Sequence, residues 1–122
     1  MLAGTVATAF VCCADAAPAT SIVGTWAGRM PPPAGSRAPR QSFTITIKRG
    51  ERSGTWRVSA RCGGTLRLKD ISYGYHHYYR LGVRAGCAPA GIDCLQRSGV
   101  KMVDVFVPTS GPDFTGTFRR IG

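Results

Sequence analysis

The feature that most constrains this chain is a two-residue alternation of apolar and polar side chains within short segments. Between positions 41 and 49, Phe43, Ile45 and Ile47 alternate with Ser, Thr and Lys. Similar segments follow clusters of Gly, Pro or Ser, and no segment has the spacing of a long amphipathic helix. Because successive side chains of a strand point to opposite faces, each segment can bury one face only. We therefore predict an all-β fold.

The links between these segments are mostly short, which favours antiparallel neighbours. A single up-and-down meander of about seven or eight strands can close into a small barrel, and closure removes the exposed sheet edges. A two-layer sandwich is the alternative. Two connections are longer, the Pro-rich Met30–Arg40 and the Cys-containing Ala85–Ser98. A length of 122 residues allows one domain.

The N-terminal residues are typical of a secretory signal peptide. Leu2–Ala14 is apolar and uncharged, and Ala14-Asp15-Ala16 forms a small-x-small cleavage site. The run is too short for a bilayer span, which needs about 18 to 20 residues. We predict a signal peptide over 1–16 and a single barrel domain over 17–122, without a transmembrane helix. The mature protein would be secreted, periplasmic or otherwise in the cell envelope.

Cys12 and Cys13 leave open a lipid anchor as an alternative. Lipid attachment normally requires a small residue directly before the modified Cys. Here Val11 precedes Cys12, which disfavours a lipoprotein.

Two motifs at the ends of the predicted domain resemble the calycin pattern of lipocalins. They are Gly24-Thr25-Trp26 with Gly28 near the start, and Gly116-Thr117-Phe118-Arg119-Arg120 near the end. With Cys62-Gly63-Gly64-Thr65-Leu66 between them, the order is similar to that of small lipocalin-like domains exported by high-GC bacteria. Some of those domains form the extracytoplasmic part of receptor-type Ser/Thr kinases. The resemblance implies a barrel and an extracytoplasmic location, and it implies no particular chemistry.

The same resemblance implies how the barrel closes. In that superfamily the Trp of the first strand packs against an Arg from the end of the chain. Trp26 would therefore pack against Arg119 or Arg120, with a cation over the indole ring.

The predicted hairpin around Tyr73 also constrains the cysteines. Pairing its two strands residue by residue from the turn places Cys62 at the barrel end that holds the 85–98 connection. We therefore predict a disulfide from Cys62 to either Cys87 or Cys94. The seven-residue spacing of Cys87 and Cys94 does not match a zinc site.

The composition argues against an enzyme. The chain has 16 Lys and Arg but only 6 Asp and Glu, a formal net charge of +10, so paired carboxylates for acid/base chemistry are scarce. It has no Gly-x-Ser-x-Gly elbow. His76 and His77 are adjacent on a predicted strand and cannot chelate one ion together. We predict a non-enzymatic protein without catalytic residues, cofactor or metal.

Two binding hypotheses follow from the predicted strand faces. In the first, Trp56, Tyr75, His77 and Tyr79 point inward and line a pocket for a small apolar or aromatic molecule. The alternative for these residues is a packed core. Asp104, in an otherwise apolar strand, is expected to form a structural ion pair with an Arg.

In the second hypothesis, cations on the outward positions of three neighbouring strands form one patch. Such a surface favours anionic polymers of the envelope or lipid headgroups, and export disfavours nucleic acid. The predicted patch residues are Arg57, Arg67, Lys69, Arg80 and Arg84.

Overall fold

The computed structural model describes residues 20–30, 41–83, 87 and 89–122. These residues form eight antiparallel strands. The strands are β1 (Gly24–Met30), β2 (Gln41–Ile47), β3 (Ser53–Ser59), β4 (Cys62–Ser72), β5 (Tyr75–Leu81), β6 (Gly91–Ser98), β7 (Lys101–Pro108) and β8 (Phe114–Arg120). Each strand pairs with the next along the chain, and β1 pairs with β8, so the sheet closes into a barrel. The predicted meander and barrel are confirmed, and the sandwich alternative is wrong.

Three predictions fall outside the described residues. They are the signal peptide over 1–16, the possible lipid anchor at Cys12 or Cys13, and the outward position of Arg84.

Strand β6 lies inside the stretch that the sequence assigns to a connection. Its inward positions hold Asp93 and Arg97 on either side of Leu95. Because two of its inward residues are charged, the segment lacks the regular apolar–polar alternation of a strand. The sequence pattern therefore did not predict this strand.

Large side chains fill the barrel interior. Trp26 Nε1 donates a hydrogen bond to the Ile22 carbonyl at 3.0 Å, and Trp56 Nε1 donates to the Leu81 carbonyl at 2.9 Å. Beside Trp56 the chain needs a glycine, because a Cβ on Gly64 would lie 2.8 Å from the indole nitrogen. The largest fully buried side chains include Trp26, Trp56, Tyr78, Phe106, Phe118, Ile45, Leu66, Leu95 and Met102.

Strand β5 turns the face opposite to the predicted one towards the interior. Its buried residues are His76, Tyr78 and Arg80. Tyr75, His77 and Tyr79, predicted to line the barrel, lie on the outer face instead. Of the four predicted pocket residues, only Trp56 is buried.

A β-bulge in β4 causes this inversion. The register of β4 against β5 shifts between Leu68 and Asp70, so Leu68 lies opposite Tyr78. With regular pairing from the hairpin turn, Leu68 would lie opposite Tyr79. One extra residue moves the register by one position and thereby exchanges the buried and exposed faces of the partner strand.

The seam between β1 and β8 brings the predicted closure residues close together. Trp26 lies opposite Arg120 in the ladder. The cation over the indole ring, however, is Arg97 of β6, whose guanidinium carbon lies 5.5 Å from the ring centroid. Arg120 Nε instead donates to the Gly122 carbonyl at 3.3 Å. Arg97 therefore takes the place predicted for Arg119 or Arg120.

The predicted disulfide is confirmed, and the structure selects one of the two alternatives. Cys62 at the start of β4 is bonded to Cys87 in the β5–β6 connection. Cys94 is a free, half-buried cysteine on the outer face of β6.

Candidate functional site

Four exposed cations lie at outward positions along β3 and β4. Arg57 lies on β3, Arg61 in the turn that follows, and Arg67 and Lys69 on β4. We call these four residues the basic face. Because β3 and β4 are paired, with Arg57 opposite Gly63, their cations share one side of the barrel.

A depression lies at one end of the basic face, beside the β3–β4 turn. We call this end the upper end and the opposite one the lower end. The depression has a volume of about 280 Å³, and Arg57, Ser59 and Arg61 are among its lining residues. Two guanidinium-bearing residues and a hydroxyl around one depression suit an anionic group, because Arg presents several donors in a fixed fork.

Arg67 connects the basic face to an aromatic side chain on the next strand. It lies between Ser53 of β3 and Tyr79 of β5 in the ladders. Its guanidinium carbon lies 5.3 Å from the centroid of the Tyr79 ring. A cation–π contact of this kind at an exposed site contributes about 0.5–1 kcal/mol and holds the guanidinium close to the sheet.

At the lower end of the basic face, one carboxylate collects three donors. Lys69 Nζ lies 2.9 Å, His77 Nδ1 2.7 Å and Ser72 Oγ 3.1 Å from the Asp70 carboxylate. The hydrogen bond from Lys69, with those from Ser72 and His77, lowers the pKa of Asp70 to about 2. Asp70 therefore remains ionised and partly neutralises this end of the face.

The structure brings together only part of the predicted patch. Arg57, Arg67 and Lys69 are exposed as predicted. Arg80 is wrong as a patch residue, because the inverted face of β5 buries it at 4 % exposure. Arg61 was missed, because it lies in a turn and strand alternation gives no signal there.

Arg80 instead forms an ion pair inside the barrel. Its Nε donates to Asp93 Oδ2 at 2.9 Å and its Nη2 donates to Asp93 Oδ1 at 2.6 Å. The guanidinium carbon also lies 3.6 Å from the centroid of the Phe106 ring. The bidentate pair and the aromatic neighbours together offset the cost of burying two charges.

Asp104 lies beside this pair and is fully buried. Among the described residues, neither of its carboxylate oxygens has a hydrogen-bond partner. Burial and the nearby Asp93 carboxylate raise the pKa of Asp104 well above its usual value, although the charge of Arg80 acts in the opposite direction. Asp104 is thus favoured in its neutral form, and the ion pair expected for it is formed by Asp93.

These buried groups leave the outer surface with few acids. Asp93 and Asp104 are buried, while Glu51 and Asp70 are half-buried and hydrogen-bonded; Asp113 is exposed. The described Lys and Arg residues are nearly all exposed, Arg80 and Arg97 being the exceptions. The fold therefore buries two of the five described carboxylates and leaves the described cations outside, except for Arg80 and Arg97.

A hydrogen-bond network closes the lower end of the barrel. The Ile22 amide donates to Glu51 Oε2 at 2.8 Å, and His76 Nε2 donates to Glu51 Oε1 at 3.0 Å. Tyr78 donates its hydroxyl to the Glu51 carbonyl at 2.7 Å. Burial alone would raise the pKa of Glu51, but the hydrogen bonds from Ile22 and His76 lower it below 4.5. The network ties residues 20–23 to the β2–β3 turn.

Neither a metal centre nor a spanning helix lies in the part of the chain that the structure describes. There, no group of three or more His, Cys, Asp or Glu side chains is placed to hold a metal ion. No helix of those same residues is long and apolar enough to cross a membrane. Comparison with protein-family models, with curated proteins and with solved structures finds no match to this chain.

Proposed function

We propose that this chain is a non-enzymatic, exported binding module that attaches to anionic components of the cell envelope through its basic face. The observation that carries the proposal is the separation of charge across the barrel wall. Arg57, Arg61 and Arg67 are exposed on one side, while Asp93 and Asp104 are buried. The outer surface thus attracts polyanions with few competing carboxylates.

The aromatic side chains of β5 support the same proposal. Tyr75, His77 and Tyr79 lie on the outer face next to the cations, and Arg67 already contacts Tyr79. Cations beside aromatic rings on an open sheet are the combination with which proteins hold flexible polyanions by charge and stacking. A disulfide suits an oxidising compartment, and export favours envelope polymers over nucleic acid.

The other sequence hypothesis, a small ligand inside the barrel, is supported by fewer residues. Three of its four lining candidates, Tyr75, His77 and Tyr79, lie outside. The interior positions hold large side chains such as Trp26, Trp56 and Phe106. We therefore prefer the outer face as the binding site.

Heparin chromatography tests the proposal. The double variant Arg57→Gln/Arg67→Gln should elute at clearly lower salt than the wild type, because two phosphate- or sulfate-binding cations are lost. The matched control, Arg29→Gln/Arg119→Gln, removes the same charge from β1 and β8 and should shift elution much less. Equal shifts in both variants, or elution of the wild type below about 0.2 M salt, would overturn the proposal.

A further inference from the structure

The outer surface of β5, β6 and β7 carries more apolar side chains than that of the other strands, although His77 and Gln96 also lie on it. Tyr79 lies opposite Ile92, and Ile92 opposite Val107. One row further down, Cys94 lies opposite Val105. Together these side chains cover three adjacent strands. We call this set the apolar face; its members are Tyr75, Tyr79, Ile92, Val103, Val105 and Val107.

The free cysteine in the middle of this surface reflects its apolar character. Burial, with smaller contributions from Asp104 and other acids, raises the pKa of Cys94 to about 11. Its thiol is therefore neutral at physiological pH and adds no charge to the apolar face.

The outer surface of β1 to β4 is polar instead. Thr25, Thr46, Thr55 and Thr65 lie opposite one another in a row that crosses β1 to β4. The outward side of an antiparallel sheet is usually polar in this way. Concentrating Tyr, Ile and Val outward on three neighbouring strands is what an interaction surface requires.

The charges around the apolar face select its partner. Arg67 lies directly opposite Tyr79, Lys69 follows on the same strand, and Lys101 begins β7. A second copy of the chain would bring these cations against each other, with a formal charge of +10 on each chain. An anionic partner would meet both the apolar centre and the cations at its edges.

The shape of the apolar face favours a bilayer among anionic partners. The face lies on the outside of a closed barrel and is therefore convex, and fluid lipid can conform to a convex surface. Tyr75 and Tyr79 carry amphipathic rings suited to the headgroup level. Cations near the surface add attraction to anionic headgroups.

We propose that the apolar face inserts into the headgroup region of an anionic lipid bilayer while the neighbouring basic face binds lipid phosphates. This inference rests on the proposed function and names its partner as lipid. The basic face alone would suffice for a soluble polyanion, whereas the apolar face is needed only for lipid.

Vesicle flotation separates the two faces. The wild type should float with phosphatidylcholine vesicles that contain phosphatidylglycerol and stay in solution with phosphatidylcholine alone. Ile92→Ser/Val107→Ser should lose at least about tenfold in vesicle partition, because buried apolar area is removed, with heparin elution unchanged. Thr25→Ser/Thr46→Ser, on β1 and β2, is the matched control and should float like the wild type.

A second variant gives a positive signal on binding, so its result does not depend on a loss that misfolding would also cause. Val107→Trp places an indole on the apolar face, where the native side chain is 38 % exposed. Its added emission should shift to the blue on anionic vesicles and be quenched by brominated lipid. Ala27→Trp, at an outward position of β1, should show neither effect.

The outcomes distinguish this inference from the proposed function. Binding of wild type to heparin but not to anionic vesicles would overturn the lipid inference and leave the proposed function standing. Unchanged flotation of Ile92→Ser/Val107→Ser would also overturn it. If that variant also changed from dimer to monomer, the apolar face would be an interface between two copies of the chain. Failure of the wild type to bind either heparin or vesicles would overturn both.

Discussion

The Arg80 guanidinium and the Asp93 carboxylate form a bidentate ion pair in the barrel interior, with N–O distances of 2.9 and 2.6 Å. The pair neutralises itself where water is excluded. It removes one carboxylate and one guanidinium from the surface and therefore leaves the net charge of the surface unchanged. The cationic exterior, with Arg57 and Arg67 exposed, follows from the excess of 16 Lys and Arg over 6 Asp and Glu.

Breaking this pair should be costly. Arg80→Met leaves the Asp93 carboxylate buried without its partner and should lower the free energy of unfolding by about 3–5 kcal/mol. Arg80→Met/Asp93→Leu, which removes both charges, should recover most of that loss. Urea unfolding followed by Trp fluorescence measures both variants. Arg57→Met on the surface should change stability by no more than about 0.5 kcal/mol; a loss there equal to that of Arg80→Met would contradict the prediction.

Asp104 should make the protein less stable as the pH rises. The pKa of Asp104 is raised in the folded state. The stability that this shift contributes is therefore fully present below the pKa of the unfolded chain, 3.8. It is lost as the pH rises towards the folded pKa. Relative to Asp104→Asn, which does not titrate, the wild type should lose about 1.4 kcal/mol per pH unit over this range. Thermal unfolding of both proteins at several pH values measures the difference, and parallel pH profiles would refute it.

Glu51 should act in the opposite sense. Its pKa is lowered because, despite burial, it accepts hydrogen bonds from Ile22 and His76. The stability it contributes is present above the unfolded value of 4.5 and is lost as pH falls through the folded pKa. Glu51→Gln should therefore melt at a lower temperature than the wild type at neutral pH, with the gap closing in acid. A gap that persists at low pH would show that the carboxylate charge is not involved.

The Cys62–Cys87 disulfide closes a loop with a sequence separation of 25. Cys62→Ser/Cys87→Ser should lose about 3 kcal/mol of unfolding free energy in the chain-entropy picture. Cys94→Ser is the control, since Cys94 is free. Equal stability of the double variant and the wild type in urea would contradict the prediction.

The sequence predicts the barrel well because its evidence is local. Alternation in β2 places Phe43, Ile45 and Ile47 inside, and all three are buried. The face of β5 could not be predicted in the same way. Aromatic residues occupy both faces of β5, so alternation does not show which face is buried. The buried face is determined by the bulge near Lys69, which lies on the partner strand β4.

The interior ion pair escaped prediction for a related reason. Asp93 and Arg80 are charged, so a rule that places charge outside assigns them to the surface or to a loop. Only the pairing of β5 with β6, which sets Tyr78 opposite Asp93, brings the two charges together inside. The outward cations Arg57 and Arg67 were predictable because apolar Trp56 and Leu66 flank them on strands with a clear alternation.

Chemical-shift mapping with a short heparin oligosaccharide tests whether the basic face binds polyanions, because it locates the bound polyanion on the barrel. We expect the largest amide shifts at Arg57, Arg61 and Arg67 and on the adjoining outer positions of β5. We expect small shifts at Ala27 and Thr117, on the β1–β8 side. Shifts that centre on β1 and β8, or spread evenly around the barrel, would contradict it.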